Sequence, residues 1–355
     1  MAPPSERDQM SATASSQPGL DLSWLNLDDD WGARAQPGRK GLTLEELNVL
    51  SYGNVPVSAG APTMAMRGAR PDPRSPRHGK QYKDKADVWS EAAMMLYEEA
   101  MQRQWSSAID IPWHEIPADL PTDIEMAMCT LCTFLTQVEF IAGDLPGRYM
   151  GQVPADHFET QLFLGTQVMD EARHEDVFRK RALVNGGGLV DANFGASALL
   201  TADDFTEMTA RLHLFGEGFV QTIFRMGELI STNEAEKRIF RLAAQDESRH
   251  LAFGVTHLKY LLDVNPERRE ELHHYLDLQE GALGQGQGGL TVNPATGEAL
   301  AVLAGGGIDR IDEGFQKVLV MRKKQINEYF HRLEVIGLGD RKERMAPQMR
   351  VFLEA

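Results

Sequence analysis

The chain has 355 residues, of which 42% are hydrophobic and 25% are charged, and its formal net charge is −16. This composition is that of a globular protein with one large domain or two small ones, and its acidity argues against binding to nucleic acid, whose phosphates attract basic surfaces. Because it has neither an apolar signal core at its N-terminus nor a run of about 18 apolar residues, we expect a cytoplasmic protein that does not span a membrane.

Residues 1–82 are rich in Pro, Gly and Ser, and we interpret them as an N-terminal arm that is partly disordered or wrapped over the surface. One short helix is predicted in TLEELNVL, where Thr43 and Glu46 match a capping box. The segment RGARPDPRSPRHGKQYKDK, which begins at Arg67, is basic. It is interpreted as a solvated linker or, alternatively, as a docking strip for an anionic partner such as an acidic carrier domain or a phosphate-bearing substrate.

Residues 83–337 have apolar side chains three and four positions apart, without an alternating strand pattern of any length, and therefore predict an all-α domain. Within this domain, residues 281–306 form a Gly-rich loop with room for one short helix, of the kind that makes a lid or a subunit contact. Residues 338–355 follow as a C-terminal tail. The predicted helices lie near residues 84–106, 121–143, 156–184, 202–230, 232–263, 267–280 and 308–335.

Two segments of the helical domain nearly repeat each other: MDEARHEDVF from Met169 and QDESRHLAFG from Gln245. Residues i and i+3 share a helix face, so each segment presents a glutamate and a histidine side by side. A four-helix bundle that binds two metal ions uses this motif on two helices and a lone glutamate on each of the other two. The repeat therefore predicts a metal site that contains Glu171, His174, Glu247 and His250.

The two lone glutamates follow from the geometry of antiparallel helix hairpins, in which residues at one height lie equally far from the turn. A turn centred near residue 155 places residue 139 opposite residue 171, and a turn centred near residue 232 places residue 217 opposite residue 247. Both positions are glutamates, Glu139 and Glu217. Helix-capping patterns support both turns: Asp156 with Glu159, and Ser231 with Glu234.

The charge of this set supports two divalent cations, because four carboxylates and two neutral imidazoles carry −4. Without metal, four acids that face one core would be costly to bury. Carboxylate and imidazole ligands suit iron or manganese better than zinc, which prefers sulfur and nitrogen. The predicted ligands are Glu139, Glu171, His174, Glu217, Glu247 and His250.

The neighbours of the motif residues are predicted to support the ligands. A ligating imidazole usually donates its other N–H to a carboxylate, and Asp170 and Asp246 can each reach the histidine of the opposite motif. Arg173 and Arg249 can hold these aspartates by bidentate hydrogen bonds. Surface salt bridging is the alternative interpretation of these four residues.

The doubled Asp-Glu-x-Arg-His resembles the metal-binding signature of the ferritin-like di-iron oxygenases, especially bacterial multicomponent monooxygenase hydroxylase subunits and their single-chain relatives. The resemblance implies a ferritin-like four-helix bundle core with additional flanking helices over residues 84–335, with the six predicted ligands holding two iron ions or a manganese–iron pair. It also implies O2 as co-substrate, a small-molecule substrate that a carrier could present, and a homodimer. Electrons would come from a separate reductase or ferredoxin, because no flavin, nicotinamide or iron–sulfur motif is present.

Other classes share this scaffold. The long arm, the Gly-rich loop and the His-containing site disfavour iron storage. A ribonucleotide reductase small subunit commonly has aspartate at the position of Glu139 and a radical-bearing tyrosine at that of Phe178, although some members carry phenylalanine there. In this chain, Phe178 is a candidate wall of a substrate pocket, with core packing as the alternative. We therefore predict a di-iron, O2-dependent monooxygenase that performs C–H hydroxylation or amine N-oxygenation. A ligand-binding oxidase acting on a bound fatty acid, a reductase-like small subunit and a non-enzymatic helical interaction protein remain open.

The surroundings of Glu217 are unusual for a helix, because Gly216 and Gly218 each weaken it by about 1 kcal/mol relative to alanine. Either the helix is locally bulged, which would let Glu217 change its binding mode, or the glycines permit close helix packing. Gln221, one turn later, is a candidate pocket residue. His213, one turn earlier, is a candidate third imidazole ligand, with a hydrogen-bonded core histidine as the alternative.

Overall fold

The computed structural model describes residues 19–20, 34–60, 62–69, 72, 74–190, 196–284 and 294–353. The chain divides into two compact units, Met1–Asn54 and Val55–Ala355. The described part of the first unit contains a short helix, α1 (Leu44–Leu47), followed by a 3-10 turn, Leu50–Gly53. The predicted capping box is present, since the backbone N–H of Thr43 donates to the Glu46 carboxylate at 2.9 Å.

In the described residues of the second unit, every regular element is a helix, which confirms the all-α prediction. Each of the seven predicted helical regions contains at least one helix. The α-helices are α2 (Lys85–Val88), α3 (Ala93–Gln102), α4 (Thr122–Met150), α5 (Phe158–Val184), α6 (Phe205–Met208), α7 (Gly218–Ile230), α8 (Glu234–Val264), α9 (Arg269–Gly284), α10 (Pro294–Gly305), α11 (Ile311–Val335), α12 (Arg341–Arg344) and α13 (Pro347–Arg350). A π-helix, Thr209–Glu217, joins α6 to α7.

Four long helical segments form the core of this unit. Helix α4 packs along α5, the π-helix and α7 pack along α8, and α5 contacts α8, so that two helix hairpins face each other. Apolar side chains such as Leu135 of α4, Val177 of α5 and Phe224 of α7 are fully buried between them. Helices α3, α9, α10 and α11 pack around this core as the flanking helices.

Helix α4 is long and apolar enough to cross a membrane when judged by length and composition alone. However, 61% of its most apolar window is buried inside the protein, as expected of the core helix of a bundle. Its residues Leu131 and Leu135 are fully buried, and so is Glu139, which is 1% exposed. The apolar character of α4 is therefore accounted for by its place in the core.

The two hairpin turns lie where the sequence places them, but their predicted caps are wrong. Glu159 does not cap helix α5 with Asp156; its carboxylate instead accepts a hydrogen bond from Arg67 at 2.8 Å. The N-cap of α8 is Asn233, whose side chain accepts from a backbone N–H, rather than Ser231. Arg67 is thereby buried, so that the first residue of the basic segment is neither solvated nor exposed to an anionic partner.

The Gly-rich stretch is more helical than the sequence suggests. Helix α9 continues to Gly284 and α10 begins at Pro294, while residues 285–293 lie outside the described residues. Helix α10 packs against α4 and α11, and its side chains from Ala299 to Ala304 are buried in the core. A sequence of alanine, leucine and valine favours a buried helix here, so this half of the predicted loop is part of the core.

Candidate metal centre

The structure brings all six predicted ligands together at the centre of the four-helix core, where each is at most 3% exposed. Their side chains form two overlapping groups, and within each group the candidate ligand atoms lie within 4.8 Å of one another. The first group is Glu139, Glu171, His174 and Glu247, and the second is Glu171, Glu217, Glu247 and His250. The two groups are therefore candidates for two cation positions that share Glu171 and Glu247.

The shared carboxylates, Glu171 and Glu247, each turn one oxygen to each histidine. The Nδ1 atom of His174 lies 3.1 Å from Oε2 of Glu171 and 3.3 Å from Oε1 of Glu247. The Nδ1 atom of His250 lies 3.0 Å from Oε1 of Glu171 and 3.4 Å from Oε2 of Glu247. Glu171 and Glu247 would therefore both be within reach of two cations, each of which would have one histidine beside it.

The two remaining glutamates each belong to one group only. An oxygen of Glu139 lies 3.8 Å from Nδ1 of His174, and an oxygen of Glu217 lies 3.8 Å from Nδ1 of His250. The reflection across the helix hairpins thus places both lone glutamates beside the intended motif. Each is positioned to bind one cation as a terminal ligand.

Several buried polar atoms of this cluster have no hydrogen-bond partner, which tests whether the residues fit a pair of cations. An unsatisfied buried polar atom costs about 1–3 kcal/mol, and more if it is charged, so such atoms are rarely concentrated in one place. Cations would satisfy all of them together, and the donor set of carboxylates and imidazoles suits iron and manganese. The unpartnered atoms are Oε1 of Glu139, Oε1 of Glu171, Oε2 of Glu217, both carboxylate oxygens of Glu247 and Nδ1 of His250.

The aspartates anchor the histidines of the opposite motifs, as the sequence suggests. The Nε2 atom of His174 is 3.2 Å from Oδ2 of Asp246, and the Nε2 atom of His250 is 3.3 Å from Oδ2 of Asp170. Each carboxylate accepts from the histidine, so the histidine donates from Nε2, and its Nδ1 atom is the one that faces the glutamates and would bind a cation. The side chain of Asp246 is ionised, because His174 and Arg249 hold its pKa below the usual range in spite of burial, which alone would raise it.

The two arginines connect the aspartates, although not by the predicted bidentate bonds. The Nη2 atom of Arg249 donates to Asp170 at 2.8 Å and to Asp246 at 2.5 Å. The Nη2 atom of Arg173 likewise contacts both aspartates, with Asp246 at 3.3 Å. Each guanidinium therefore bridges the motifs of α5 and α8. None of the four residues is a surface salt-bridge partner, since all are at least nine-tenths buried.

Trp105, which the sequence analysis missed, completes the surroundings of His174. Its Nε1–H donates to Oδ2 of Asp246 at 2.7 Å, and its ring is stacked on the imidazole of His174 at 6.3 Å between centroids. The guanidinium of Arg173 lies 5.2 Å from the centroid of the same indole. Trp105 comes from the loop after α3, whose path no local pattern in the sequence predicts.

The π-helix ends at Glu217, so the predicted helix bulge is present. Close packing, the other explanation, applies at Gly218, where a Cβ atom would lie 2.2 Å from Nη2 of Arg332 on α11. At Gly216 a Cβ would meet nothing closer than 3.4 Å. Close packing therefore explains the glycine at position 218 but not the one at position 216. Whether Glu217 changes its binding mode stays a prediction.

His213 does not join either group of candidate ligands. Its Nε2 atom is 3.0 Å from Oε1 of Gln167, and the Nε2 atom of Gln167 donates to Oε1 of Glu217 at 2.8 Å. Burial lowers the pKa of His213 to about 3, which keeps the ring neutral. His213 is thus a hydrogen-bonded core histidine. Gln167 was also missed, although it lies one helical turn before Glu171.

The two predicted pocket residues have other contacts. Gln221 is half-buried, and its amide donates to the hydroxyl of Ser248 on α8 at 2.7 Å. Phe178 is fully buried and packs against Phe224 and Phe240, with centroid distances of 5.2 Å and 5.8 Å. These contacts describe an interhelical bond for Gln221 and core packing for Phe178, and a pocket role for either residue stays a prediction.

Solved structures of R2-like ligand-binding oxidases are similar to this chain. A variant with an anaerobically reconstituted Mn/Fe cofactor is 20% identical, with a TM-score of 0.54, and the match covers 70% of this chain and 95% of that one. A variant with an aerobically reconstituted Mn/Fe cofactor gives the same four values. A further anaerobically reconstituted variant has a TM-score of 0.53 at 20% identity, covering 70% and 94% of the two chains.

No family model matches the chain, and no curated protein sequence matches it. At 20% identity, the similarity to the solved structures shows a common fold. The resemblance predicted from the doubled motif is therefore confirmed for the architecture: a ferritin-like four-helix core with flanking helices and a buried carboxylate–histidine cluster at its centre.

Proposed function

We propose that the chain is an oxidoreductase that binds two iron ions, or a manganese–iron pair, and uses O2 to oxidise a small organic molecule. The observation that carries this proposal is the pair of four-residue groups that share Glu171 and Glu247. A shared pair of carboxylates holds two cations close together, and the charge of −4 from the four glutamates balances two divalent ions. When bound, such a metal pair supplies redox chemistry that amino-acid side chains lack.

The residues of the chain would orient and insulate that pair. Asp246 and Asp170 fix the tautomers of the two histidines, so that both Nδ1 atoms face the cations. Phe224 and Phe163 lie against the imidazoles, at 6.2 Å from His174 and 6.4 Å from His250 between centroids. Both rings are fully buried, so they would limit water on the histidine side of the site and strengthen the attraction between the carboxylates and bound cations.

Two outcomes of O2 use are compatible with this site. A monooxygenase would place one oxygen atom in the product by C–H hydroxylation or amine N-oxygenation and reduce the other to water, with two electrons from a separate reductase or ferredoxin. A ligand-binding oxidase would take its electrons from the bound molecule and leave the oxygen atoms in water or peroxide. The similar solved structures are named as ligand-binding oxidases with a Mn/Fe cofactor, and this favours the second outcome.

The first experiment is metal analysis of the purified, reconstituted protein. We expect about two metal ions per chain for the wild type and almost none for Glu171→Ala, because Glu171 belongs to both groups. Glu139→Ala, which alters one group only, should retain about one ion. Glu175→Ala, on the same helix but outside both groups, is the control and should retain both. Full metal content in Glu171→Ala would refute the proposal.

The second experiment separates the two outcomes. The loaded protein is supplied with isotopically labelled O2 and candidate ligands, including fatty acids and small amines, with and without a reductase system. Label in the product indicates a monooxygenase. Oxidised product without label, formed without a reductase, indicates the oxidase. O2 consumption that no candidate ligand stimulates would contradict both.

A further inference from the structure

A chain of two hydrogen bonds leads from Glu217 to Gln167 and on to His213, and these last two residues belong to neither group of candidate ligands. Gln167 of α5 donates from Nε2 to Oε1 of Glu217 at 2.8 Å, and its own Oε1 lies 3.0 Å from Nε2 of His213. All three side chains are at most 3% exposed. By contrast, among the described residues no side chain from outside the six predicted ligands hydrogen-bonds to Glu139, the corresponding terminal glutamate.

The direction of these hydrogen bonds is fixed by chemistry. A glutamate that binds a cation is ionised and only accepts hydrogen bonds, so Gln167 must turn its NH2 group to Glu217 and its carbonyl to His213. His213 must then donate from Nε2. Its Nδ1 atom has no partner, in agreement with a neutral ring that carries its one proton on Nε2.

His213 is itself immobilised by the packing of the π-helix against α8. A Cβ atom at Gly254 would lie 2.4 Å from the Cβ atom of His213, so only glycine permits this approach. The ring of Phe253 meets the imidazole edge-on at 5.6 Å between centroids. These contacts restrain the fully buried side chain of His213, and its hydrogen bond favours the orientation of the Gln167 amide in which the NH2 group points to Glu217.

We propose that Gln167, fixed by His213, is a positioning residue that keeps Glu217 beside His250 and out of the other half of the site, so that a small exogenous ligand can bind there. This inference rests on the proposed function. The nearest oxygen of Glu217 to His250 is the same Oε1 that Gln167 holds, at 3.8 Å from Nδ1. A movement of the carboxylate towards the other cation would break the bond to Gln167 and leave a buried amide unsatisfied, which costs about 1–3 kcal/mol.

The test uses azide as the small ligand and the full-length, iron-loaded protein. Gln167→Met keeps the length of the side chain but removes the donor, and Gln161→Met makes the same exchange at an exposed position of α5 as a control. We expect Gln167→Met to bind as much iron as the wild type, with an altered electron paramagnetic resonance spectrum and an azide affinity lower by at least about tenfold. His213→Phe, which leaves Gln167 in place but removes its hydrogen-bond partner, should also lower the azide affinity.

The outcomes separate this inference from the proposed function. Unchanged azide affinity and spectrum in Gln167→Met, with normal iron content, would overturn the inference and leave the metal site intact. Loss of iron from Gln167→Met would also overturn it, because the residue would then be needed to retain metal rather than to direct Glu217. A wild-type protein without iron would overturn the proposed function, and the inference with it.

Discussion

Binding of the metal ions should release protons, and the number can be worked out from the site. Burial raises the pKa of Glu139 and Glu217 well above the usual range, which favours the protonated form of both carboxyls in the metal-free protein. Burial alone would lower the pKa of His174 and His250, but their carboxylate neighbours outweigh it and raise both values. We therefore predict that each metal-free cation position holds one protonated carboxyl and one imidazolium, so that each incoming ion displaces about two protons.

The affinity for the cations should therefore depend strongly on pH. Protons compete with the cation, so affinity falls as the pH falls and rises until the pH exceeds the raised pKa values. Two protons per ion correspond to an affinity that increases about a hundredfold per pH unit, or about 2.7 kcal/mol. The shared Glu171 adds nothing to this count, because the histidines hold its pKa below the usual range despite its burial.

The assay is a titration of metal-free protein with ferrous or manganous ions between about pH 6 and pH 8, with a competing chelator to report affinity. Isothermal titration calorimetry in buffers of different ionisation enthalpy counts the released protons directly. The same measurement on Glu139→Gln, which has no acidic proton at this position, should show about one proton fewer for the ion of that group. Proton release near zero, or an affinity that does not change over this range, would refute the reasoning.

Three further changes test the supports of the site and the packing around it. Asp246→Asn should weaken iron binding by about 10–100-fold in chelator competition, because the imidazole loses its anionic anchor; unchanged affinity would contradict the role of the hydrogen bond. Gly218→Ala should give a lower free energy of unfolding in urea than Gly216→Ala. Both exchanges gain about 1 kcal/mol of helix propensity, but the new Cβ at Gly218 must displace the buried guanidinium of Arg332. Equal effects would refute the packing explanation. Arg322→Met should raise the melting temperature. The guanidinium of Arg322 is only 5% exposed, burial lowers its pKa to about 10, and it has no ion pair with a described residue. A lower melting temperature would show that its contact with an aromatic ring outweighs the cost of burial.

The positions of the candidate ligands could be predicted because, in a helix hairpin, residues that are equally far from the turn in sequence lie at the same level along the two helices. Once the turns are located, a residue at a known distance before the turn must face its partner after it, and this placed Glu139 and Glu217. The argument did not need correct caps. Asn233 caps α8 where Ser231 was expected, and this two-residue shift is too small to change which side chains share a height.

The supporting residues could not be predicted in the same way. Gln167 shares a helix face with Glu171, so its orientation towards the core could be inferred from the sequence. A neutral amide is not a typical metal ligand, however, and the residue type gave no reason to select it. Its function depends on His213, and their contact requires the close approach of the π-helix to α8 that Gly254 permits. Trp105 reaches Asp246 from a loop, and only the packed structure determines where that loop lies.

These residues also indicate how a repeated motif would produce two unequal candidate cation positions. Each Asp-Glu-x-Arg-His supplies its partner with the same parts, so the repeat by itself implies two equivalent sites. The residues that occur once break this symmetry. Trp105 donates to Asp246, the anchor of His174, and Gln167 donates to Glu217, which lies beside His250. Since the two candidate positions share Glu171 and Glu247, we expect differences in affinity or ligand access between them to arise from the terminal glutamates, the anchors of the histidines, the aromatic rings beside the imidazoles and these single residues.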